Sequence, residues 1–401
     1  MQGRRPLLQG LFGVGVGVLA GAASWRALAQ AATPAGVSPG SAPAPGKATR
    51  PAGASARTRV LAPRTLRFPH DHGAHPDLHT EWWYLTGELA AGERRFGFQV
   101  TFFRSRVDAT HHMASAFAAR QLLFAHAAVT DLASGRLLHD QRIAREGFGI
   151  ARAREDDTDL RIRDWTMARQ ADGRYTARVD GGDFTLDLMA MPTQPILLQG
   201  QDGLSRKGPQ AAQASYYYSQ PHLRVEGRLR LSASATAAGQ DKTRVFDTAV
   251  KGRAWLDHEW SEALLHPEAV GWDWVGMNLQ GGSALTVFRL RRADGSTLWA
   301  GGSWRASGGA VRTFTPDDLR MSPGRTWTSP LTGTAYPVAW TLQTPAGRFT
   351  VEALADAQEL DSRRSTGTVY WEGLSALRDE AGREVGRGYL ELTGYGRRLT
   401  L

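Results

Sequence analysis

Two short stretches of the 401-residue chain concentrate side chains that can do chemistry. The first, FPHDHGAHPDLHTEWWY (Phe68–Tyr84), packs histidines, carboxylates and large aromatics into one run. The second, WLDHEW (Trp255–Trp260), sets two acids and a histidine between tryptophans. Imidazole and carboxylate together offer metal ligation or proton transfer. Tryptophan and tyrosine beside them offer an apolar wall.

In the second stretch, an extended backbone puts Asp257 and Glu259 on one face, with His258 and Trp260 on the other. A carboxyl held against indole rings loses hydration, which raises its pKa and makes it a proton donor near neutrality. Asp257 is therefore the expected acid, with His258 or Glu259 orienting or deprotonating water. In the first stretch, Pro69, Gly73 and Pro76 predict a loop, so spacing alone does not define ligand geometry. His70, Asp71, His72, His75, Asp77 and His79 leave three readings open: a divalent-ion site, a polar loop lining a site, or a hydrogen-bonded structural loop. No H-E-x-x-H helix is present and no metal is expected. Nor does a G-x-S-x-G elbow support a serine hydrolase.

The aromatic runs that follow read as strands. Trp82 and Tyr84 share one face and Trp83 takes the other; Trp272 and Trp274 repeat the pattern with Asp273 opposite. These rings read either as core packing or as the lining of an expected cavity for an apolar ligand, beside Trp255 and Trp260. Asp71, His72, His75 and Glu81 are expected to approach it from the first half of the chain. YYYSQPH, Tyr216–His222, reads either as lining for that cavity or as a tyrosine-rich strand.

The elements that must carry these residues are strands. Leu160 and Ile162, then Tyr175, Ala177 and Val179, then Phe184, Leu186 and Leu188, alternate with polar neighbours around turns at Asp172-Gly173 and Asp180–Asp183, which predicts an antiparallel meander. Val338, Trp340 and Leu342 repeat the pattern. Near the end, Tyr389, Glu391, Thr393 and Tyr395 share a face against Leu390 and Leu392. One short helix is expected at Thr315–Leu319. Asp71-His72, His75-Pro76 and Trp82 echo Asp257-His258, His266-Pro267 and Trp272, which predicts two related β-domains. Their boundaries are placed at 59–245 and 246–401.

Arg4 and Arg5, the apolar run Leu11–Ala22 and Ala27-Leu28-Ala29 predict a signal peptide over 1–29, with a twin-arginine flavour. Residues 30–58 are rich in Pro, Ala and Gly and read as a linker. Together they predict a periplasmic or secreted protein. The chain has no cysteine, which excludes disulfides and thiolate chemistry. Its formal charge of +9 is scattered rather than clustered, so no nucleic-acid partner is expected.

Asp71-His72-Gly73 with His75-Pro76, Thr80–Tyr84 with Thr86-Gly87, Asp257–Ser261 and Gly388–Tyr395 resemble the motifs of the AttH-type two-domain lipocalin-like family, also called predicted secreted hydrolases and related to carotenoid 1,2-hydratases. The resemblance spans about residue 60 to the C-terminus. It implies an all-β fold of two tandem lipocalin-like antiparallel barrels packed side by side. It also implies cofactor-independent, acid-catalysed hydration or hydrolysis of a hydrophobic ligand of isoprenoid, polyene or lipid type. Asp257 matches the acid that protonates a terminal C=C bond in the hydratases. Trp255 and Glu259 stand where those enzymes carry Tyr and Asn. The alternative is a non-catalytic periplasmic carrier of an apolar molecule, working with a membrane transporter. In either case a monomer without cofactor is expected.

Overall fold

The computed structural model describes residues 59–232, 245–263 and 265–398. The expected leader and linker, 1–58, lie outside them. The described chain is all-β, with only short 3-10 turns such as His70–His72 and Pro316–Asp318 between strands. The second of these is the short helix expected near Thr315.

Nine strands concern the site: β1 (Thr80–Ala91), β2 (Arg94–Arg106), β3 (Gln121–Asp131), β4 (Ala214–Leu231), β5 (Phe246–Ser261), β6 (Gly271–Leu279), β7 (Ala284–Arg291), β8 (Thr368–Arg378) and β9 (Glu384–Leu392). The first sheet runs from Arg136–Arg145 through β3, β2, β1, β5 and β4 into the meander Phe184–Met191, Tyr175–Asp180, Trp165–Arg169, Asp159–Ile162 and Ala151–Ala153. Asp159–Ile162 returns against β3 and Arg136–Arg145, so the sheet nearly closes on itself. The second sheet places β6 between β7 and β9, and β9 beside β8. The result is two lipocalin-like antiparallel barrels side by side. In both, the opening strand lies between its successor and a much later strand: β1 between β2 and β5, β6 between β7 and β9.

Period-two alternation divides each wall. Trp83, Leu85 and Leu89 of β1 point into the first barrel and join Phe96, Phe98 and Trp165 in its core. Val275 and Met277 of β6, with Leu390 and Leu392 of β9, fill the second. The opposite faces of these strands are also largely covered. Tyr84, Trp255, Trp274, Phe288, Leu374 and Tyr389 form a third apolar cluster between the barrels. Gly97 permits the close approach: a Cβ there would lie 2.9 Å from the Tyr389 hydroxyl and 3.1 Å from Leu374 Cβ.

Strand pairing moves the expected boundary at 245/246. β5 pairs with both β1 and β4, so it belongs to the first barrel and the second begins at Gly271. The repeat is correspondingly partial. The aromatic strands β1 and β6 are equivalent, but Asp71-His72 sits in a 3-10 turn while Asp257-His258 sits mid-strand. The pairing that decides this is long-range, and a turn-rich local pattern does not reveal it.

Candidate functional site

Cross-strand register lays out the site in rows. On the outer face of the first barrel, Tyr84, Asp257 and Ser219 lie abreast on β1, β5 and β4; the next row is Trp82, Glu259 and Tyr217. On the facing wall, Phe288, Trp274, Glu391 and Glu372 lie abreast on β7, β6, β9 and β8. Between these walls is a cavity of about 310 Å³. Asp257, Tyr84, Tyr217, Glu372 and Tyr370 are buried, whereas Trp82, Trp272 and Glu391 are only partly covered.

Asp257 is 2% exposed. Its Oδ1 accepts hydrogen bonds from Ser219 Oγ at 2.5 Å and Trp255 Nε1 at 2.8 Å. Burial pushes its carboxyl up to about 7, against the opposing pull of Ser219 and Trp255, and the charge of Glu259 adds to the rise. The nearby cation goes elsewhere: Lys207 Nζ lies 3.0 Å from Glu259 Oε1, which also accepts from Ser215 Oγ at 2.5 Å. Tyr217, whose hydroxyl accepts from Trp274 Nε1 at 3.2 Å, completes the polar lining. Asp257 is thus anchored at Oδ1, keeps its proton up to about pH 7, and faces aromatic rings.

The facing wall brings two further acids: Glu391, inside the Gly388–Tyr395 motif, and Glu372, outside every motif named above. Glu372 and Glu391 are direct register partners, which sets their Cβ atoms about 5 Å apart. Burial and the charge of Glu391 hold Glu372 well above the carboxylate range, and Glu372 Oε1 has no hydrogen-bond partner among the described residues. Enclosure, then the charges of Asp257 and Glu259, push Glu391 upward as well. Alternation in GYLELTGYG places Glu391 beside Tyr389 on the cavity face, a signal present in the sequence. Nothing local marks Glu372, one acid in an apolar strand.

The other expected residues lie behind this wall. Trp83, His258 and Tyr218 form a row on the inner face of β1, β5 and β4; Glu81, Trp260 and Tyr216 form the next. His75 Nδ1 lies 2.7 Å from Glu81 Oε1 and its Nε2 lies 3.1 Å from Asp71 Oδ1. His258 Nε2 lies 2.9 Å from Glu81 Oε1, and Arg104 Nε donates to Glu81 Oε2 at 2.8 Å. The His75 ring stacks on Trp260 at 4.0 Å. His72 Nδ1 lies 2.7 Å from the Tyr218 hydroxyl.

Burial opposes charge on His75, but Glu81 and Asp71 outweigh it and raise its pKa. Burial likewise opposes charge on both acids, and is outweighed by His75 and, at Glu81, by His258 and Arg104 as well; both carboxyls fall below their ordinary range. Burial pushes His258 down to about 4 and His72 down to about 3. This is a buried ion network tying the first loop to the barrel. His258 and Trp260 therefore do not line the cavity, because one residue of offset along a strand exchanges faces; Asp71, His72 and His75 stay in the first loop on that inner side, and of this network Glu81 and Arg104 reach the cavity's edge. Ligand atoms of His75, Glu81 and His258 lie within 4.8 Å of one another, a spacing open to a metal ion. Their valences are already engaged: His75 bridges two carboxyls, and the Arg104 guanidinium beside Glu81 repels a second cation.

Residues 59–395 match the AttH-like family, and the chain belongs to it. A solved structure from Nitrosomonas europaea assigned to AttH is 46% identical, with a TM-score of 0.75 over 84% of this chain and 99% of that one. Kievitone hydratase from Nectria haematococca shares the fold at 14% identity, with a TM-score of 0.62 over 83% of this chain and 94% of its own. CghA in complex with Sch210972 is similar at 15% identity and a TM-score of 0.50, covering 78% and 87% of the two chains. No curated protein sequence matches the chain.

Proposed function

We propose that the protein is a cofactor-independent acid catalyst that hydrates or hydrolyses an apolar ligand held between its two barrels, with Asp257 as proton donor. One observation carries this reading: Asp257 is buried against an aromatic cavity with its Oδ1 anchored by two donors, while the adjacent Lys207 pairs with Glu259. Oδ2, which takes no part in the Ser219 and Trp255 contacts, is the oxygen that would present the proton. In the hydration form, the Oδ2–H bond breaks as a C–H bond forms at one alkene carbon. The cation left on the neighbouring carbon is captured by water, and the proton released by that water returns to the Asp257 carboxylate. Alkene plus water gives alcohol, and the acid is regenerated.

The Trp82 and Trp272 faces are placed to favour the cationic stage, by about 1–2 kcal/mol when desolvated. His258 takes no part, being neutral on the other side of the wall. The fold shared with kievitone hydratase is consistent with this class of reaction. The Arg4–Ala29 segment supports a site of action outside the cytoplasm.

The test begins with organic extraction and native mass spectrometry of protein purified from its own host. The extracted compound is then incubated with the enzyme in ¹⁸O-water. Product carrying one labelled oxygen, lost by about 10²–10⁴-fold in Asp257→Asn, is the expected result. Retention of an unchanged compound by both proteins would instead identify a carrier.

A further inference from the structure

The cavity holds more acid than its own cations can balance. Asp257, Glu259, Glu372, Glu391 and, at its edge, Glu81 line it; among the described lining residues the cations are Lys207, paired with Glu259, and Arg104, paired with Glu81, which leaves Asp257, Glu372 and Glu391 without one. His126, also in the lining, is pushed down to about 3 by burial and stays neutral. We propose that this cavity takes an apolar organic cation, such as a tertiary or quaternary amine with a hydrocarbon body, and that the Glu372–Glu391 pair supplies its counter-charge. The proposal rests on the reading of the cavity as the ligand site and adds the chemical class of the ligand.

Two features support it independently of the acid count. Glu372 is 3% exposed and lines the cavity; the Tyr84 and Tyr370 hydroxyls lie beside its carboxyl, yet its Oε1 has no hydrogen bond of good geometry among the described residues. A buried polar atom of this kind is costly unless something fills its valence. Second, the cavity already contains a bound ammonium of its own. Lys207 Nζ sits 4.2 Å from the Phe288 ring centre and 4.6 Å from that of Tyr217, with the Glu259 carboxylate at 3.0 Å. Rings plus a carboxylate are how this cavity holds a cation. Farther along the same row of the facing wall, Glu391 and Glu372 repeat the ingredients near Trp272, Trp274 and Tyr370, with no ammonium of their own among the described residues.

The groups facing the pair are Asp257 and Glu259 from β5, the hydroxyls of Tyr84, Tyr370 and Tyr389, and Lys207 beyond Glu259. These neighbours disfavour two negative charges on adjacent strands, so without a bound cation the pair retains a proton. An arriving cation favours ionisation, so binding expels that proton.

The experiment is isothermal titration calorimetry on the full chain with phenyltrimethylammonium and its neutral isostere tert-butylbenzene, at about pH 6 and pH 8 in buffers of different ionisation enthalpy. The cation is expected to bind about tenfold or more tighter than the isostere at pH 8. Near pH 6 it is expected to bind more weakly and to release about one proton. A Glu372→Gln/Glu391→Gln variant should bind both compounds alike without proton release, and its retained affinity for the isostere reports that it is folded. Equal binding of the two compounds by the native protein, or an undiminished cation preference in the variant, overturns the counter-charge assignment and leaves the cavity as an apolar site. Failure of both compounds to bind the native protein removes the ligand site itself.

Discussion

Replacing Asp257 by Asn puts a permanently neutral group where the native carboxyl is neutral only below about pH 7, so the consequence depends on pH. Asn keeps an acceptor for Ser219 Oγ and Trp255 Nε1 and fills the same volume. The native acid titrates from an ordinary 3.8 in the unfolded chain to about 7 in the fold. Because the folded value is the higher one, its contribution to stability is fully present below pH 3.8 and is lost as pH rises through about 7. The interval is roughly three pH units at about 1.4 kcal/mol each, or at most about 4 kcal/mol. Most of that loss falls below pH 7. Between pH 5 and pH 8 the native protein should lose roughly 2–3 kcal/mol relative to Asp257→Asn. Urea unfolding of both proteins at several pH values measures the difference, and other titrating groups common to both largely cancel. A constant gap across that range would refute the reasoning, because Asp257 would then titrate alike in the folded and unfolded chain.

Four further outcomes follow. Trp255→Phe removes a donor that stabilises the ionised carboxylate, so the Asp257 pKa should rise further and the alkaline limb of the activity profile, where the donor loses its proton, should move to higher pH. His75→Ala leaves Asp71 and Glu81 short of their shared partner in a buried setting; a loss of about 3–5 kcal/mol is expected by chemical denaturation, with cavity binding intact in the folded fraction. The same network sets an acid limit. Asp71 and Glu81 have lowered folded values, so their contribution is present above the ordinary carboxylate range and is lost as pH falls through those values, which an acid-unfolding titration should place below that range. Gly97→Val places new methyl groups against Tyr389 and Leu374; about 1–3 kcal/mol of destabilisation is expected, with weaker binding in calorimetry because the barrels are wedged apart.

Much of this architecture is legible in particular residues. The alternation of Trp82 and Tyr84 against Trp83, and of Asp257 and Glu259 against His258, assigns each to a face from the sequence alone. What alternation does not tell is which face meets the cavity. His258, Trp260 and the first-loop histidines therefore group with Asp257 in sequence although they serve a separate ion network. An apolar inner core and an aromatic inter-barrel face look alike at that level. The position of β5 is hidden for a related reason. Its partners β1 and β4 are set by long-range register, while the turn signals near residue 245 are local. Glu372 stands out only through the pairing of β8 with β9 and the packing of their outer face against the first barrel.

Proton donation requires a neutral Asp257 carboxyl in the inter-barrel cavity, and infrared difference spectroscopy reads that group directly. The native-minus-Asp257→Asn spectrum, followed across pH, should show a protonated carboxyl C=O band that persists above pH 5 and disappears with a midpoint near 7, shifting on labelled-aspartate incorporation. A difference spectrum that shows only ionised carboxylate at pH 5 would contradict it.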